Sequence, residues 1–214
     1  MTGTPGETSR TWRGQTAEER QAGRRERLIE AGIELFGTRG YANTPVKAIC
    51  EEAGLTERYF YETFSDREAL LTEVYDILIA DCARASVEAI EAAGDDLIES
   101  MSAGLRAFAH QLAEDPRRAR IQEIESVGVS EALEARRRDA IHAFANLIAD
   151  RVRAAGTVRA GLSLDVIALG LVGLVNEQLI EFVLGRIDLT LDELVDNQIA
   201  VFAAVAGALT EGEN

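Results

Sequence analysis

Proline is nearly absent from this chain, and its scarcity constrains the fold more than any other feature. The 214 residues contain three prolines, Pro5, Pro45 and Pro116, separated by long stretches rich in Ala, Leu, Glu and Arg. These residues favour the helix interior, which proline disrupts. The sequence shows no alternation of apolar and polar residues typical of strands, and it contains no Asn-Gly or Asp-Gly hairpin turn. We therefore predict an all-α protein.

Start and stop signals divide the chain into about nine helices. Capping boxes, in which a Ser or Thr precedes a Glu by three residues, occur at Thr16, Ser65 and Thr190. Thr44 is predicted to cap the second helix, and Gly40 to end the first. The predicted helices cover roughly residues 16–39, 45–53, 56–64, 65–92, 95–114, 116–127, 130–155, 164–186 and 191–209.

The segment from Val46 to Thr63 has the pattern of a helix-turn-helix. Cys50 is a small residue where the two helices would cross, and Gly54 can supply the left-handed backbone of the turn. This geometry lets the second helix project side chains into the major groove of DNA. Many helical hairpins in protein cores share the pattern. The apolar residues that a three-helix core needs are present at the required positions, namely Ile49, Ala53, Leu55 and Phe60.

The strings AGIELF (31–36), TPVKAI (44–49), EAGLT (52–56) and FYETFSDREALL (60–71) add specificity. Together they closely resemble the DNA-binding domain of the tetracycline-repressor (TetR) family over residues 24–75. The resemblance implies an N-terminal three-helix helix-turn-helix domain followed by a C-terminal helical domain for ligand binding and dimerisation. We accordingly expect a disordered arm over 1–15, a DNA-binding domain over 16–67 and a ligand-sensing, dimerising domain over 68–214.

The same resemblance assigns roles in DNA binding. It implies that Thr44 and Lys47 contact phosphates and that Tyr61 contacts the DNA backbone. It also implies that four residues face bases, namely Thr56, Glu57, Arg58 and Tyr59. Thr63 is the remaining position that faces DNA. The family often has Gly at the position of Arg58, and His or Tyr at that of Thr63.

Alternative roles stay open for several of these residues. Arg58 can bind guanine, bind a phosphate or pair with Glu62 four residues later. Lys47 can be a solvated residue, and Tyr59 and Tyr61 can be half-buried packing residues. In the arm, Arg10, Trp12 and Arg13 can reach a minor groove or belong to a plain tail.

The acidity of the chain is unevenly distributed. The net charge is −15, yet residues 10–68 carry 10 basic against 11 acidic side chains. The acidic remainder should be repelled by DNA, which leaves contact to the N-terminal domain. An alternative is a helical interaction protein of the same fold with weak or no DNA binding, and Glu57, Glu62 and the acidic body motivate it.

The last two helices, about 164–209, are the expected homodimer interface. Residues 166–175 are apolar on every side, so both faces need cover. Gly170 and Gly173 allow a close helix approach, and a two-fold dimer would match a palindromic operator in double-stranded DNA. A monomer with an intramolecular core is the alternative. The apolar positions of the last helix are Leu191, Leu194, Val195, Phe202, Val205 and Leu209.

A small-molecule effector site is predicted where Asn176, Glu177 and Gln178 interrupt the apolar helix. A polar group buried there needs a partner or a ligand. Asn176 could orient an apolar or amphipathic molecule in a cavity with Tyr75, Phe108, His142, Phe144 and Phe182. Ordinary core packing is the alternative for each aromatic residue and for His142, and an intersubunit salt bridge for Glu177. Arg136–Arg138 is interpreted as a solvated face.

Other functions lack support in the sequence. It contains no catalytic or phosphate-binding motif, so we expect no enzyme activity, cofactor or metal. Cys50 and Cys82 stand far apart, which fits a reducing cytoplasm, and no secretory signal is visible. The ten-residue apolar run is too short for a membrane span of about 20 residues, so it is interpreted as a buried helix.

Overall fold

The computed structural model describes residues 17–156, 159 and 161–210, which form nine α-helices and no β-strand. The all-α prediction is confirmed. The predicted arm and the capping box at Thr16 lie outside the described residues. The helices are α1 (Ala17–Arg39), α2 (Val46–Ala53), α3 (Glu57–Thr63), α4 (Arg67–Ala93), α5 (Leu97–Ala113), α6 (Pro116–Arg120), α7 (Glu131–Ala155), α8 (Leu164–Val183) and α9 (Leu191–Thr210).

The ends of the helices follow local capping chemistry. At α9 the Glu193 carboxylate accepts from the backbone N–H of Thr190, and the Thr190 hydroxyl accepts from that of Glu193, so this capping box is confirmed. The box predicted at Ser65 is wrong, because Asp66 caps α4 by accepting from the N–H of Ala69. The cap predicted at Thr44 is also wrong, because Pro45 occupies that position.

The segment predicted as one helix over 116–127 has two parts. Asp115 caps α6, and the chain then continues into a π-helical turn, Ile121–Glu125. π-helical turns are rare in proteins, and those that occur often lie at functional sites. The turn buries Gln122 and Glu123 as well as Ile121, and thus places two polar side chains inside the protein.

Three apolar clusters hold the helices together. The first joins α1, α2 and α3 to the first half of α4, and it includes Ile121 and Leu133 from the C-terminal part. The other two lie among α4, α5, α6, α7, α8 and α9. Since the first cluster continues past residue 67, the N-terminal helices rest directly on the C-terminal body, and the boundary between 67 and 68 stays a prediction.

Helix α8 is covered on one face only. It is long and apolar enough to cross a membrane by length and composition, and 28% of its most apolar window is buried in the chain. Ala168, Val172 and Leu179 face the core, whereas Val166 and Leu169 are exposed. The interpretation of residues 166–175 as a buried helix thus holds for one face in the single chain, and cover of the other face by a second copy stays a prediction.

Candidate DNA-binding surface and effector cavity

The turn between α2 and α3 has the geometry that a helix-turn-helix needs. Gly54 adopts φ 61° and ψ 37°, the left-handed conformation expected of it. The backbone N–H of Leu55 then donates to the Cys50 carbonyl at 2.9 Å. Cys50 and Phe60 are buried against α1, so the mutual angle of the two helices is fixed by core packing.

One face of α3 is free of the core. Thr56 precedes the helix and is exposed, as are Glu57 and Arg58. Tyr61 is 56% exposed, which leaves its ring available to a partner molecule. Tyr59 lies partly exposed under the Arg24 guanidinium, 4.6 Å from the ring centroid.

Arg58 on α3 and Lys47 on α2 each pair with a glutamate four residues later. Arg58 donates from Nε to Oε1 of Glu62 at 2.9 Å, which is the third of the roles considered for it. Lys47 lies 3.9 Å from Glu51 across one turn of α2 and is largely exposed. Because both pairs are exposed to solvent, each contributes little to stability, and both cations can exchange their carboxylate for a phosphate or a base.

Two of the predicted DNA-facing threonines use their hydroxyls inside the protein. Thr44 is fully buried, and its hydroxyl donates to the carbonyl of Gly40 at 2.7 Å. It cannot reach a phosphate from there, which corrects its assigned role. The hydroxyl of Thr63 donates to the Tyr59 carbonyl at 2.9 Å on the partly exposed end of α3.

Arg67 organises the loop before α2, a role that sequence reasoning missed. Its Nη1 donates to the carbonyls of Tyr41 and Thr44 at 3.0 and 2.9 Å, and its guanidinium stacks on the Tyr41 ring at 4.2 Å. These contacts tie the start of α2 to the start of α4. No local pattern in the sequence indicates these contacts, because they join residues 26 and 23 positions apart.

The π-helical turn and α6 touch the N-terminal helices directly. Glu125 accepts the backbone N–H of Tyr41 at 2.7 Å, and Arg117 donates to Glu34 at 2.6 Å. A Cβ placed on Gly37 would lie 2.4 Å from the Cβ of Arg117, so only glycine permits this approach. The segment that carries Gln122 and Glu123 inward therefore also holds α1.

A cavity of about 80 Å³ lies between α4, α5, α7, α8, α9 and the π-helical turn. Phe108 and Phe144 form its aromatic wall, with ring centroids 5.0 Å apart in an edge-to-face arrangement. Tyr75 and Asn176 also line it, so the structure brings together four of the six residues predicted for the effector site.

The other two predicted residues lie elsewhere. His142 is exposed, and the neighbouring Ile141 faces the cavity instead, because successive helical residues point about 100° apart. His142 is thus not a core histidine either. Phe182 packs in the cluster around Leu179, outside the cavity lining.

Two residues that the sequence predicts for other surfaces line the cavity. Phe202 on α9 lines the cavity, which contradicts its place in the dimer interface. Arg137 lines it too, whereas it was expected on a solvated face. Arg136 remains on that face, where it pairs with Asp76 at 2.7 Å.

The π-helical turn supplies polar groups that sequence reasoning missed. Glu123 is 9% exposed, and burial raises the pKa of its carboxyl to about 7, with Arg137 acting in the opposite direction. The amide nitrogen of Gln122 is buried without a hydrogen-bond partner in the described part of the chain. Burial also raises the pKa of Tyr75 to about 12, so its phenol stays protonated.

The outer faces of α8 and of the C-terminal half of α9 carry small and apolar residues. On α8, Gly170 and Gly173 are exposed, and a Cβ added to either would meet nothing within 4 Å. On α9, Ala200, Val201 and Ala204 are exposed. The predicted apolar positions of α9 instead point inward, since Leu194, Val195 and Leu209 are buried within the chain.

These features define an all-helical chain with an N-terminal helix-turn-helix and a cavity-bearing C-terminal body. Residues 28–74 match the family of bacterial regulatory proteins called the tetR family. The resemblance to the tetR family drawn from the sequence is thus confirmed for this N-terminal segment.

A curated relative matches part of the chain, and solved structures share its fold. An uncharacterised HTH-type transcriptional regulator, YerO of Bacillus subtilis (strain 168), is 36% identical over 56 residues, which cover 26% of this chain and 19% of YerO. The fatty acid degradation regulator FadR of Bacillus halodurans superposes with a TM-score of 0.74 at 17% identity, over 87% of this chain and 96% of FadR.

Two further solved structures share the fold. FadR of Bacillus subtilis, determined in complex with stearoyl-CoA, gives a TM-score of 0.74 at 17% identity, over 82% of this chain and 96% of that protein. A TetR-like regulator from Rhodococcus sp. RHA1 gives 0.65 at 19% identity, over 86% of this chain and 96% of that protein. All of these named proteins are regulators rather than enzymes.

Proposed function

We propose that this protein is a ligand-responsive transcription regulator that binds a palindromic operator as a homodimer. The observation that carries the proposal is the exposed face of α3, held by the left-handed turn at Gly54 within a matched tetR-family domain. Such a face enters the major groove, where side chains distinguish base pairs. DNA binding of this kind belongs in the cytoplasm.

The proposed DNA contacts comprise an electrostatic and a specific part. Lys47 binds a phosphate, and Tyr61 contacts the backbone beside it. Thr56, Glu57, Arg58, Tyr59 and Thr63 remain the residues proposed to face the groove. Thr44 is excluded because its hydroxyl is committed to the Gly40 carbonyl.

Selection from a random DNA library with the purified chain tests this function. We expect one palindromic sequence to be recovered, with two half-sites spaced by about one helical turn or a multiple of it. Recovery of no sequence would favour the alternative, a helical interaction protein of the same fold. The observation that favours this alternative is the engagement of Arg58 by Glu62, which removes a cation from the α3 face.

The proposed dimer joins the exposed faces of α8 and α9 from two chains. Gly170 and Gly173 would let the backbones approach closely, because nothing among the described residues lies within 4 Å of a Cβ added to either. A large side chain at Gly173 should therefore block dimerisation without disturbing the fold of one chain. Gly23→Arg on α1 is a matched control, since that helical glycine also has nothing within 4 Å of an added Cβ.

The cavity is the proposed effector site. Its volume of about 80 Å³ is smaller than the cavity of about 150 Å³ that admits benzene in a helical protein, so an effector must separate the surrounding helices. The long acyl chain of stearoyl-CoA, bound by FadR of Bacillus subtilis, would require still more expansion. We propose an apolar or amphipathic effector whose hydrogen-bonding group is oriented by Asn176.

Expansion of the cavity would reach the DNA-binding helices by two routes. Helix α4 runs from the N-terminal cluster to the cavity and could change its angle. The π-helical turn lines the cavity through Glu123 and binds the N–H of Tyr41 through Glu125. A difference in effector affinity of about 1–3 kcal/mol between the two states is enough to shift the spacing of the two α3 helices.

A further inference from the structure

One carboxylate in the cavity has no bonding partner. Glu123 is 9% exposed, and the structure shows neither a hydrogen bond nor an ion pair within 4.0 Å for it among residues 17–156, 159 and 161–210. A buried charge of this kind is costly unless it is paired, and buried polar groups in proteins are nearly always hydrogen-bonded. The unpaired Glu123 carboxylate therefore points to a binding group that arrives from outside the chain.

The charged neighbours of Glu123 do not fill this role. Arg137 on α7 acts on it electrostatically, but the Arg137 Nη1 points to Glu134 at 3.4 Å. On α4, Asp76 is paired with Arg136 and adds no positive charge. Tyr75 and Cys82, also on α4, hold their protons, because burial raises the pKa of each to about 12.

Aromatic rings surround the same space. Tyr75, Phe108 and Phe144 line the cavity, where the two phenylalanines pack edge to face with their ring centroids 5.0 Å apart. Ring faces attract cations, and this attraction grows where water is excluded. An unpaired carboxylate beside aromatic rings selects a cation with an apolar body, and it disfavours an anion.

We propose that the effector is an apolar amine, bound in the cavity as its protonated form with the nitrogen against the Glu123 carboxylate. This proposal rests on the proposed function only in taking the cavity as the effector site. Fatty acids and acyl-CoA would place a negative group against a negative group, so this chain should not accept them at this end of the cavity.

Gln122 adds a second requirement on the effector. Its side-chain oxygen lies 3.9 Å from the Cys82 sulfur, while its buried amide nitrogen has no acceptor in the described part of the chain. An oxygen close to the amine of the effector would accept from that nitrogen. An amino alcohol should therefore bind more tightly than the plain amine.

Calorimetric titration of the full chain with matched probes tests the amine proposal. The probes are 4-phenylbutylamine, 4-phenylbutanol and 4-phenylbutyrate, which share one apolar body. At pH 8 we expect the amine to bind at least tenfold more tightly than the alcohol, and the carboxylate to bind most weakly. A carboxylate that binds as well as the amine, or an amine that does not bind, would overturn the proposal.

The variant Glu123→Gln separates charge from shape. It should weaken amine binding at least tenfold and leave alcohol binding within twofold of the unsubstituted protein. Glu131→Gln is the matched control, because Glu131 is exposed at the start of α7 outside the cavity lining. Equal loss of amine and alcohol binding in Glu123→Gln would mean that Glu123 only shapes the cavity, and would also refute the proposal.

Two further measurements complete the design. Binding of 1-amino-4-phenylbutan-2-ol should exceed that of 4-phenylbutylamine about fivefold, and Gln122→Leu should abolish the difference. An unchanged preference would exclude Gln122 as the donor.

The affinity of the same preparations for the DNA recovered from the random library is measured without probe. Loss of DNA binding alone contradicts the regulator, whereas loss of the amine preference alone contradicts this inference.

The dependence of amine binding on pH provides an independent readout. Burial raises the pKa of Glu123 to about 7, so the carboxyl changes from mostly protonated at pH 6 to mostly ionised at pH 8. An alkylamine, like lysine with a pKa near 10.4, stays protonated throughout. Amine affinity should thus rise roughly tenfold from pH 6 to pH 8. A pH-independent affinity, or the same rise in Glu123→Gln, would overturn the assignment.

Discussion

Replacing Glu123 with Gln should stabilise the free protein at alkaline pH. In the folded chain the carboxyl holds its proton up to a pKa of about 7, whereas the ordinary value is 4.5. The folded state therefore binds more protons than the unfolded state between these values, and stability falls as the pH rises through that window. Glutamine keeps the shape of the protonated side chain and does not ionise.

The magnitude follows from the displacement of the pKa. Raising it from 4.5 to about 7 destabilises the folded state by about 3 kcal/mol once the pH exceeds both values. At pH 5 most of this penalty is absent, and about 1 kcal/mol remains. Glu123→Gln should accordingly gain about 3 kcal/mol at pH 8 and about 1 kcal/mol or less at pH 5.

Urea unfolding followed by far-ultraviolet circular dichroism measures this difference. Titrations at pH 5, 6, 7 and 8 use one protein concentration, because dimerisation would make stability depend on concentration. Glu131→Gln, an exposed substitution with the same loss of charge, should stay within about 0.5 kcal/mol of the unsubstituted protein at every pH. Equal stabilisation by Glu123→Gln at pH 5 and pH 8, or destabilisation at pH 8, would refute the reasoning.

Four further outcomes are expected. Lys47→Ala should weaken binding to all DNA sequences and lower the slope of log affinity against log salt by about one, as measured by titration at several salt concentrations. Arg58→Ala should relax preference at one base pair per half-site by about 1–3 kcal/mol, whereas Arg84→Ala, which removes an exposed arginine paired with an acid on α4, should not; a uniform loss would make Arg58 a phosphate contact. Gly173→Arg should yield a folded monomer in sedimentation and weaken operator binding, and an intact dimer would remove α8 from the interface. Asn176→Leu should keep DNA binding and dimerisation but blunt release by the effector; reduced thermal stability with an unchanged dose–response would make Asn176 a structural amide.

Much of the N-terminal domain could be predicted because its signals are local. Gly54 marks the turn through its own backbone, and a small Cys50 marks the helix crossing, so both positions follow from steric limits within a few residues. The capping box at Thr190 likewise closes within four residues. The spacing of apolar residues also predicts which face of α3 packs on the core. Phe60 lies on that face and is buried.

The effector cavity depends on how distant helices pack, and the sequence determined only part of it. Apolar spacing placed Phe202 and Leu209 on one face of α9, but it could not tell whether that face meets its own chain or a second copy, because both arrangements bury the same side chains. The tertiary structure turned that face inward. It also decided the π-helical turn, which adds one residue to a helical turn and so directs Glu123 into the cavity and Glu125 toward Tyr41. The sequence thus determined the helices, their caps and the helix-turn-helix, whose causes are local. Only tertiary packing decided which polar groups became buried, because burial is set by the neighbours of a side chain rather than by its place in the chain.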